Sequence, residues 1–421
     1  MKNAGLPQTV ACVGLDCHRN FSSATARDGS MKVLWRKRLN HRDRRELHRE
    51  LSSWPAGTPV ILEGTFGWGW MSDELKAAKL QPHLSSSRKV AGWREARGMP
   101  KSNKRDADLL SELWGQQPRW WEVWCAPPEV RDMRELLRQR CSLVRLQTRL
   151  KNQIHASLHR HGLICEVSDL FGVKGRAWLA SALEDTKSPL REIGRQTLAN
   201  NLQLLDQVRK RVAEATHRFR KMVRRDPVAK RLMTLPGVST ILAYTILAEI
   251  GRIERFKDGR HLASYSMLAP ISDDSGDDHP GQAPVGRHVG VIGRTTLKWA
   301  WITAARGAVR KSARMRGYFD RYTKGGTINR NRGYIAVGHQ MCLIGYAMWK
   351  KQQDYQETPP LRPGSEKHQK QSVQQENQNS KTNAVDTTKA SQKKFDSRPG
   401  TGQPVGAMAM PKVLDRHETD R

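Results

Sequence analysis

The sequence has no run approaching the roughly eighteen consecutive apolar residues of a membrane-spanning helix, so no span is expected. Met1 to Val13 lacks the charged start and long apolar core of a secretory signal, and none is predicted. Cysteine is sparse and scattered: Cys12, Cys17, Cys125, Cys141, Cys165 and Cys342 include no C-x-x-C pair. That pattern argues against a zinc ribbon and a disulfide framework, and suits a reducing, cytoplasmic setting. Acidic residues are in deficit, 41 against 73 Lys and Arg, leaving a formal net charge of +32 in 421 residues. Such an excess points to a polyanionic partner, most simply nucleic acid. No single basic amphipathic helix carries it, which weighs against a membrane surface.

The charge also divides the chain. Residues 1–126, 127–230 and 231–352 carry +8, +11 and +11, whereas 353–421 carry only +2. The last stretch, typified by Gln369–Ala384, is polar and has too few large apolar residues to offset ordering entropy. It is expected to be a disordered tail.

In residues 1–126, Thr9–Asp16, Asn20–Arg27 and Lys32–Leu39 read as a three-strand meander with a turn at Asp28-Gly29. Arg42–Trp54, Trp70–Leu80 and Lys104–Trp114 read as helices, with Thr58–Glu63 and Gln81–Ser86 as further strands. Hairpins followed by alternating strands and helices predict an α/β sheet layered by helices. In 127–230, Pro127–His161 and Leu190–Val223 repeat apolar residues at steps of three, four or seven, with a short helix near Arg176–Leu183 between them. The spacing predicts a long antiparallel coiled-coil stalk, the alternative being an ordinary helical bundle. Residues 231–352 read as mainly helical. They open on Leu235-Pro236-Gly237-Val238 before a helix at Thr240–Ile250, a pattern like a phosphate-holding helix-hairpin-helix or a simple packing turn.

Three acids stand where a sheet-based nuclease needs them. Asp16 ends the first strand, Glu63 ends the fourth, and Asp106 begins a helix. Acids so placed can converge on one sheet edge and bind hard divalent cations through oxygen, leaving positions open for phosphate.

The segments Val13–His18, Ile61–Trp70, Lys101–Leu110 and Leu235–Arg310 together resemble the insertion-sequence 110 family of DEDD transposases, which are bridge-RNA-guided DNA recombinases. The resemblance implies a ribonuclease-H-like, RuvC-type domain at 1–126, a coiled coil at 127–230 and a transposase domain with a catalytic serine at 231–352. It places the family's first, second and fourth acids on Asp16, Glu63 and Asp106, catalytic groups that would hold Mg²⁺ or Mn²⁺. The third position is Asn103, whose amide oxygen can coordinate a cation but brings no charge. Asp108 lies about 200° round the helix from Asp106 and is a poor substitute.

The same resemblance puts the nucleophilic serine on Ser275, with Ser272 as fallback. Asp273, Asp274, Asp277 and Asp278 around it read as a solvated loop, or, more sharply, as the place where Asp274 or Asp277 supplies the ligand missing at 103. Residues 287–332 then hold twelve basic residues against one acid, Asp320. Arg287, Arg294, Lys298, Arg306, Arg310, Lys311, Arg314 and Arg316, with Lys101, Lys104 and Arg105, are the expected nucleic-acid contacts. Trp120, Trp121 and Trp124 are candidates for stacking on a guide RNA or, equally, for core packing.

The resemblance implies an insertion-sequence transposase acting on double-stranded DNA, with a bound guide RNA and a homodimeric or homotetrameric assembly, cytoplasmic and near the bacterial nucleoid. A junction endonuclease using metal-activated water and a catalytically impaired nucleic-acid binder are the alternatives.

Overall fold

A computed structural model describes residues 9–100, 103–271, 288–289, 293–325, 327 and 329–357. The first part of the chain runs β1 (Cys12–Cys17), β2 (Phe21–Arg27), β3 (Val33–Asn40), α1 (Arg44–Ser52), β4 (Pro59–Glu63), α2 (Trp68–Ala77), β5 (Gln81–Ser85), α3 (Ser87–Ala96), α4 (Asn103–Glu112), α5 (Pro118–Trp121) and β6 (Glu122–Val123). The strands form one mixed sheet in the order β3-β2-β1-β4-β5-β6. β1, β4 and β5 are parallel, while β2, β3 and β6 join antiparallel to their neighbours. This mixed α/β arrangement is consistent with a ribonuclease-H-like domain.

Side chains alternate across a strand, and both faces of this sheet are covered. Val13 and Leu15 of β1, with Val60 and Leu62 of β4, pack on Leu47 and Leu51 of α1 and on Met71 and Leu75 of α2. Cys12 and Ile61 face the other way, onto Leu109, Leu110, Leu113 and Trp121. The period of two therefore sends Gly14 and Asp16 to the second face, beneath α4, and Glu63 beside them. α3 is an element the sequence did not predict, because only Val90 of its ten residues is buried and no apolar period marks it.

The next helices are α6 (Pro128–Arg160), α7 (Val173–Glu184) and α8 (Glu192–Arg225). Leu150, Ile154 and Leu158 of α6 share a core with Leu198, Leu202 and Leu205 of α8, while Leu137 packs near Phe219 and Val223. The two long helices thus run antiparallel, with α7 contributing Leu179 at the far end.

The remaining elements are α9 (Pro227–Thr234), α10 (Thr240–Ile250), α11 (Gly259–Tyr265), β7 (Pro270–Ile271), β8 (His288–Val289), α12 (Thr295–Lys311), α13 (Ala313–Thr323) and α14 (Arg330–Lys351). α10 is buried from Leu242 to Ile250, so it is the axis of a helical bundle. Phe219 of α8 stacks on its Tyr244 at 3.8 Å, tying the long helices to the bundle. The Pro236-Gly237 turn is a packing joint. Gly237 has φ 82°, and a Cβ there would lie 2.2 Å from Ala304 O on α12. The chain to Tyr355 forms one compact unit. The predicted tail lies outside the described residues beyond 357. Among the described residues no helix is long and apolar enough to cross a membrane.

Candidate active site

Leu15 of β1 pairs with Leu62 of β4 in a parallel register, so Asp16 and Glu63 are the next residues along two adjacent strands. α4 crosses β1 at Gly14 so closely that a Cβ would sit 2.2 Å from Ala107 O and 2.3 Å from Ser111 N. Only glycine permits that approach. It brings Asp106, in the first turn of α4, over the strand end that carries Asp16. Both carboxylates are buried, each 8 % exposed, and Glu63 is half-buried.

Asp16 feels the other two acids. Burial pushes the Asp16 carboxyl above its ordinary range; the His18 imidazole pulls it down; negative Asp106 and Glu63 push it up again. His18 Nε2 lies 3.0 Å from Asp16 Oδ2, yet neither atom makes a hydrogen bond of acceptable angle. Asp106 Oδ1 accepts a hydrogen bond from Arg94 Nη1 of α3 at 3.2 Å. An all-oxygen set of three carboxylates, with Asp16 Oδ2 buried and lacking a hydrogen bond, has the chemistry a hard divalent cation takes. No group of three His, Cys, Asp or Glu among the described residues is already spaced to grip one ion, and the Arg94 guanidinium stands on Asp106. The residues suit a divalent cation provided that Arg94 gives way.

Asn103 opens α4 one turn before Asp106. Asp108 is committed elsewhere: Thr25 Oγ1 donates to it at 2.8 Å, and Arg36 holds both its oxygens at 2.8 and 3.0 Å. Ser275, Ser272, the four neighbouring aspartates, Lys101 and Arg287 lie outside the described residues, as do the side chains of Asn103 and Lys104. The ends of the serine segment are described. Pro270 pairs with Val289 and Ile271 with His288, so the chain leaves and re-enters the bundle at one point.

The predicted basic contacts separate into two groups. Arg306, Arg310, Lys311 and Arg316 are exposed on α12 and α13, and Arg105 is exposed on α4. Lys298 and Arg314 are half-buried, and burial lowers the Lys298 amine. Arg294 turns inward: its Nε donates to Tyr265 Oη at 3.0 Å, and its Nη1 lies 3.6 Å from buried Glu249. The tryptophans need correction as stacking candidates. Trp121 is completely buried, Trp120 meets Trp93 edge-on at 5.5 Å, and Trp124 lies beside the Arg134 and Arg255 guanidiniums at 5.4 and 4.5 Å. The core takes Trp121, Trp120 packs partly against it, and Trp124 is half-buried beside the two guanidiniums.

Two neighbours of the acids escaped the sequence. His18 stands two residues after Asp16, and its signal was the strand period itself. Arg94 had no signal, since it sits on the unpredicted α3 and meets Asp106 only through the fold.

Two family models match the chain. Residues 13–162 match a DEDD transposase model of the IS110 type, and residues 229–320 match the transposase IS116/IS110/IS902 family. Among similar proteins, a probable family 20 transposase of Pseudomonas aeruginosa is 25 % identical over 77 % of this chain and 92 % of its own. The transposase for insertion sequence element IS1328 of Yersinia enterocolitica is 25 % identical over 63 % of this chain and 76 % of its own. The transposase for insertion sequence element IS1111A of Coxiella burnetii is 21 % identical over 82 % and 91 %.

Proposed function

The chain belongs to the IS116/IS110/IS902 family of transposases, and on that premise we propose that it cuts and rejoins DNA through Ser275, assisted by a divalent cation at Asp16, Glu63 and Asp106. Transposases bind DNA, and the DEDD family is in general metal-dependent. The observation that carries the reading is the meeting of Asp16, Glu63 and Asp106 on one sheet face within a chain of net charge +32.

In this reading Asp16, Glu63 and Asp106 would hold Mg²⁺ or Mn²⁺, with Asn103 offering a neutral oxygen. Such an ion would supply Lewis-acid stabilisation to the scissile phosphate. The Ser275 hydroxyl attacks phosphorus and gives its proton to water; the Oγ–P bond forms as the bond to the leaving sugar oxygen breaks, and that oxygen takes a proton from water. The phosphoserine ester conserves the bond for rejoining. Exposed Arg306, Arg310, Lys311 and Arg316 contact the DNA backbone. α6 and α8 form a coiled-coil stalk between a RuvC-like domain (1–126) and a transposase domain (231–352), in a dimer or tetramer that binds a guide RNA in the cytoplasm, at the nucleoid.

The test is a covalent protein–DNA adduct formed in Mg²⁺ and lost in Ser275→Ala. Cleavage that leaves a free 5′-phosphate and no adduct would make the protein a metal-dependent junction nuclease instead. Two observations favour a second reading, a catalytically impaired binder: position 103 is Asn, and Arg94 already pairs with Asp106. Cleavage absent in the wild type and restored by Asn103→Asp would select it.

A further inference from the structure

Phe66 is 96 % exposed, more than any other large apolar side chain among the described residues. It stands three residues after Glu63, in the loop that joins β4 to α2. That loop is well anchored. The Gly64 N–H donates to Ser85 O at 3.0 Å, and the Thr65 N–H donates to Glu63 O at 2.8 Å. Gly67, with φ 93°, then turns the chain into α2. A Cβ on Gly67 would lie 3.9 Å from Cys17 Sγ, so the loop abuts the end of β1 immediately after Asp16. The next aromatic residues are handled differently. Trp68 and Trp70 pack against the sheet core and carry the Arg131 and Arg44 guanidiniums at 5.5 and 4.1 Å from their rings. Phe66 is left in solvent on a braced loop at the same strand ends as the acids.

We propose that Phe66 is a stacking platform for one unpaired nucleobase of the DNA strand that the acidic site engages. The inference rests on the DNA-cutting reading and adds that the strand is taken up locally splayed. A base drawn out of a duplex leaves its π-face in water and loses its neighbours, which is unfavourable. A ring already held in place restores one stacking partner with little further loss of conformational freedom. The division of labour follows from charge: the carboxylates interact with phosphate through a cation, whereas the neutral ring takes the base. Phenylalanine has no hydrogen-bonding group for a base edge, so the platform accepts any base. A second protein copy is a poor occupant, because one ring cannot approach the roughly 1,000 Å² that a stable interface buries.

The experiment titrates the full-length protein with two synthetic DNA duplexes of one sequence. One is fully paired; the other has a short central bubble containing 2-aminopurine. The wild type is expected to bind the bubble about tenfold more tightly and to quench the 2-aminopurine. Phe66→Ala should lose both effects while keeping its affinity for paired DNA and its melting temperature; Phe66→Tyr should keep both effects. A bubble preference that survives in Phe66→Ala, or is missing from the wild type, overturns the proposal. So does an equal loss of paired and bubbled binding in Phe66→Ala, which would mark a structural role. A Phe66-dependent preference for single-stranded RNA over bubbled DNA overturns the choice of DNA. Failure of the wild type to bind either duplex strikes the DNA-cutting reading itself, and is thereby distinguished from failure of the platform alone.

Discussion

Gly14→Ala is the most direct probe of how the acidic site is assembled. The added methyl group would lie 2.2 Å from Ala107 O and 2.3 Å from Ser111 N, both backbone atoms that no rotamer change can move. Ordinary contact begins near 3.4 Å, so α4 must withdraw from β1 by about 1 Å. Overpacking of this kind costs about 1–3 kcal/mol. Asp106 travels with the helix, and a displacement of about 1 Å at reacting groups lowers a rate by about a hundredfold. The assay is thermal melting together with strand cleavage in Mg²⁺. Gly29→Ala is the control. Gly29 has nothing within 4 Å of a Cβ, so this variant should be neutral or slightly stabilising, by up to about 1 kcal/mol. Wild-type stability and cleavage in Gly14→Ala would refute the argument that close strand–helix contact sets the position of Asp106.

Arg94→Ala should destabilise the metal-free protein by about 2 kcal/mol, since the side chains of Arg94 and Asp106 are only 18 % and 11 % exposed and the hydrogen bond is charged. It should also enlarge the rise in melting temperature caused by Mg²⁺; equal rises in variant and wild type would show that Arg94 does not compete with a cation. Arg310→Gln and Lys311→Gln, both at exposed positions, should each lower the slope of log affinity against log salt by about 1, to a similar extent on every DNA sequence. Burial pushes the Cys12 thiol up to about 11, although Arg27 lowers it somewhat, and pushes Cys342 up to about 12. At pH 8 both hold their protons in the folded chain, so alkylation should spare them until the protein is unfolded. A raised thiol value means that this contribution to stability is intact at neutral pH and is lost progressively as pH climbs from about 9, the ordinary thiol value, to about 11 for Cys12 and about 12 for Cys342. Rapid native labelling of either cysteine would contradict their burial.

Much of the sheet was legible because its strands obey simple patterns. The expected meander, the buried strand ending at Glu63, the two long helices and the Thr240–Ile250 helix all lie within a few residues of their observed positions. α3 was invisible because a helix with one buried residue has no apolar period to detect. The Pro236-Gly237 pattern admitted two readings, a helix-hairpin-helix or a packing turn, and the close approach of Gly237 to α12 shows the turn packed on that helix. Trp121 could equally have been a surface ring, since composition does not record burial; here it fills the core beneath α4.

By itself, the sequence determined the residue types at the strand ends, the excess of positive charge and the two periodicities. These depend only on local order along the chain. It could name Asp16, Glu63 and Asp106 as separate acids and Asn103 as the odd amide among them. Only the tertiary structure decided that Asp16 is buried between a histidine and two carboxylates, that Arg94 pairs with Asp106, and that Asp108 is spent on Thr25 and Arg36. The physical reason is that burial and Coulomb interaction depend on distances of a few ångströms between residues far apart in sequence. Here the parallel register of β1 and β4 sets Asp16 beside Glu63, and one glycine lets α4 rest directly on β1.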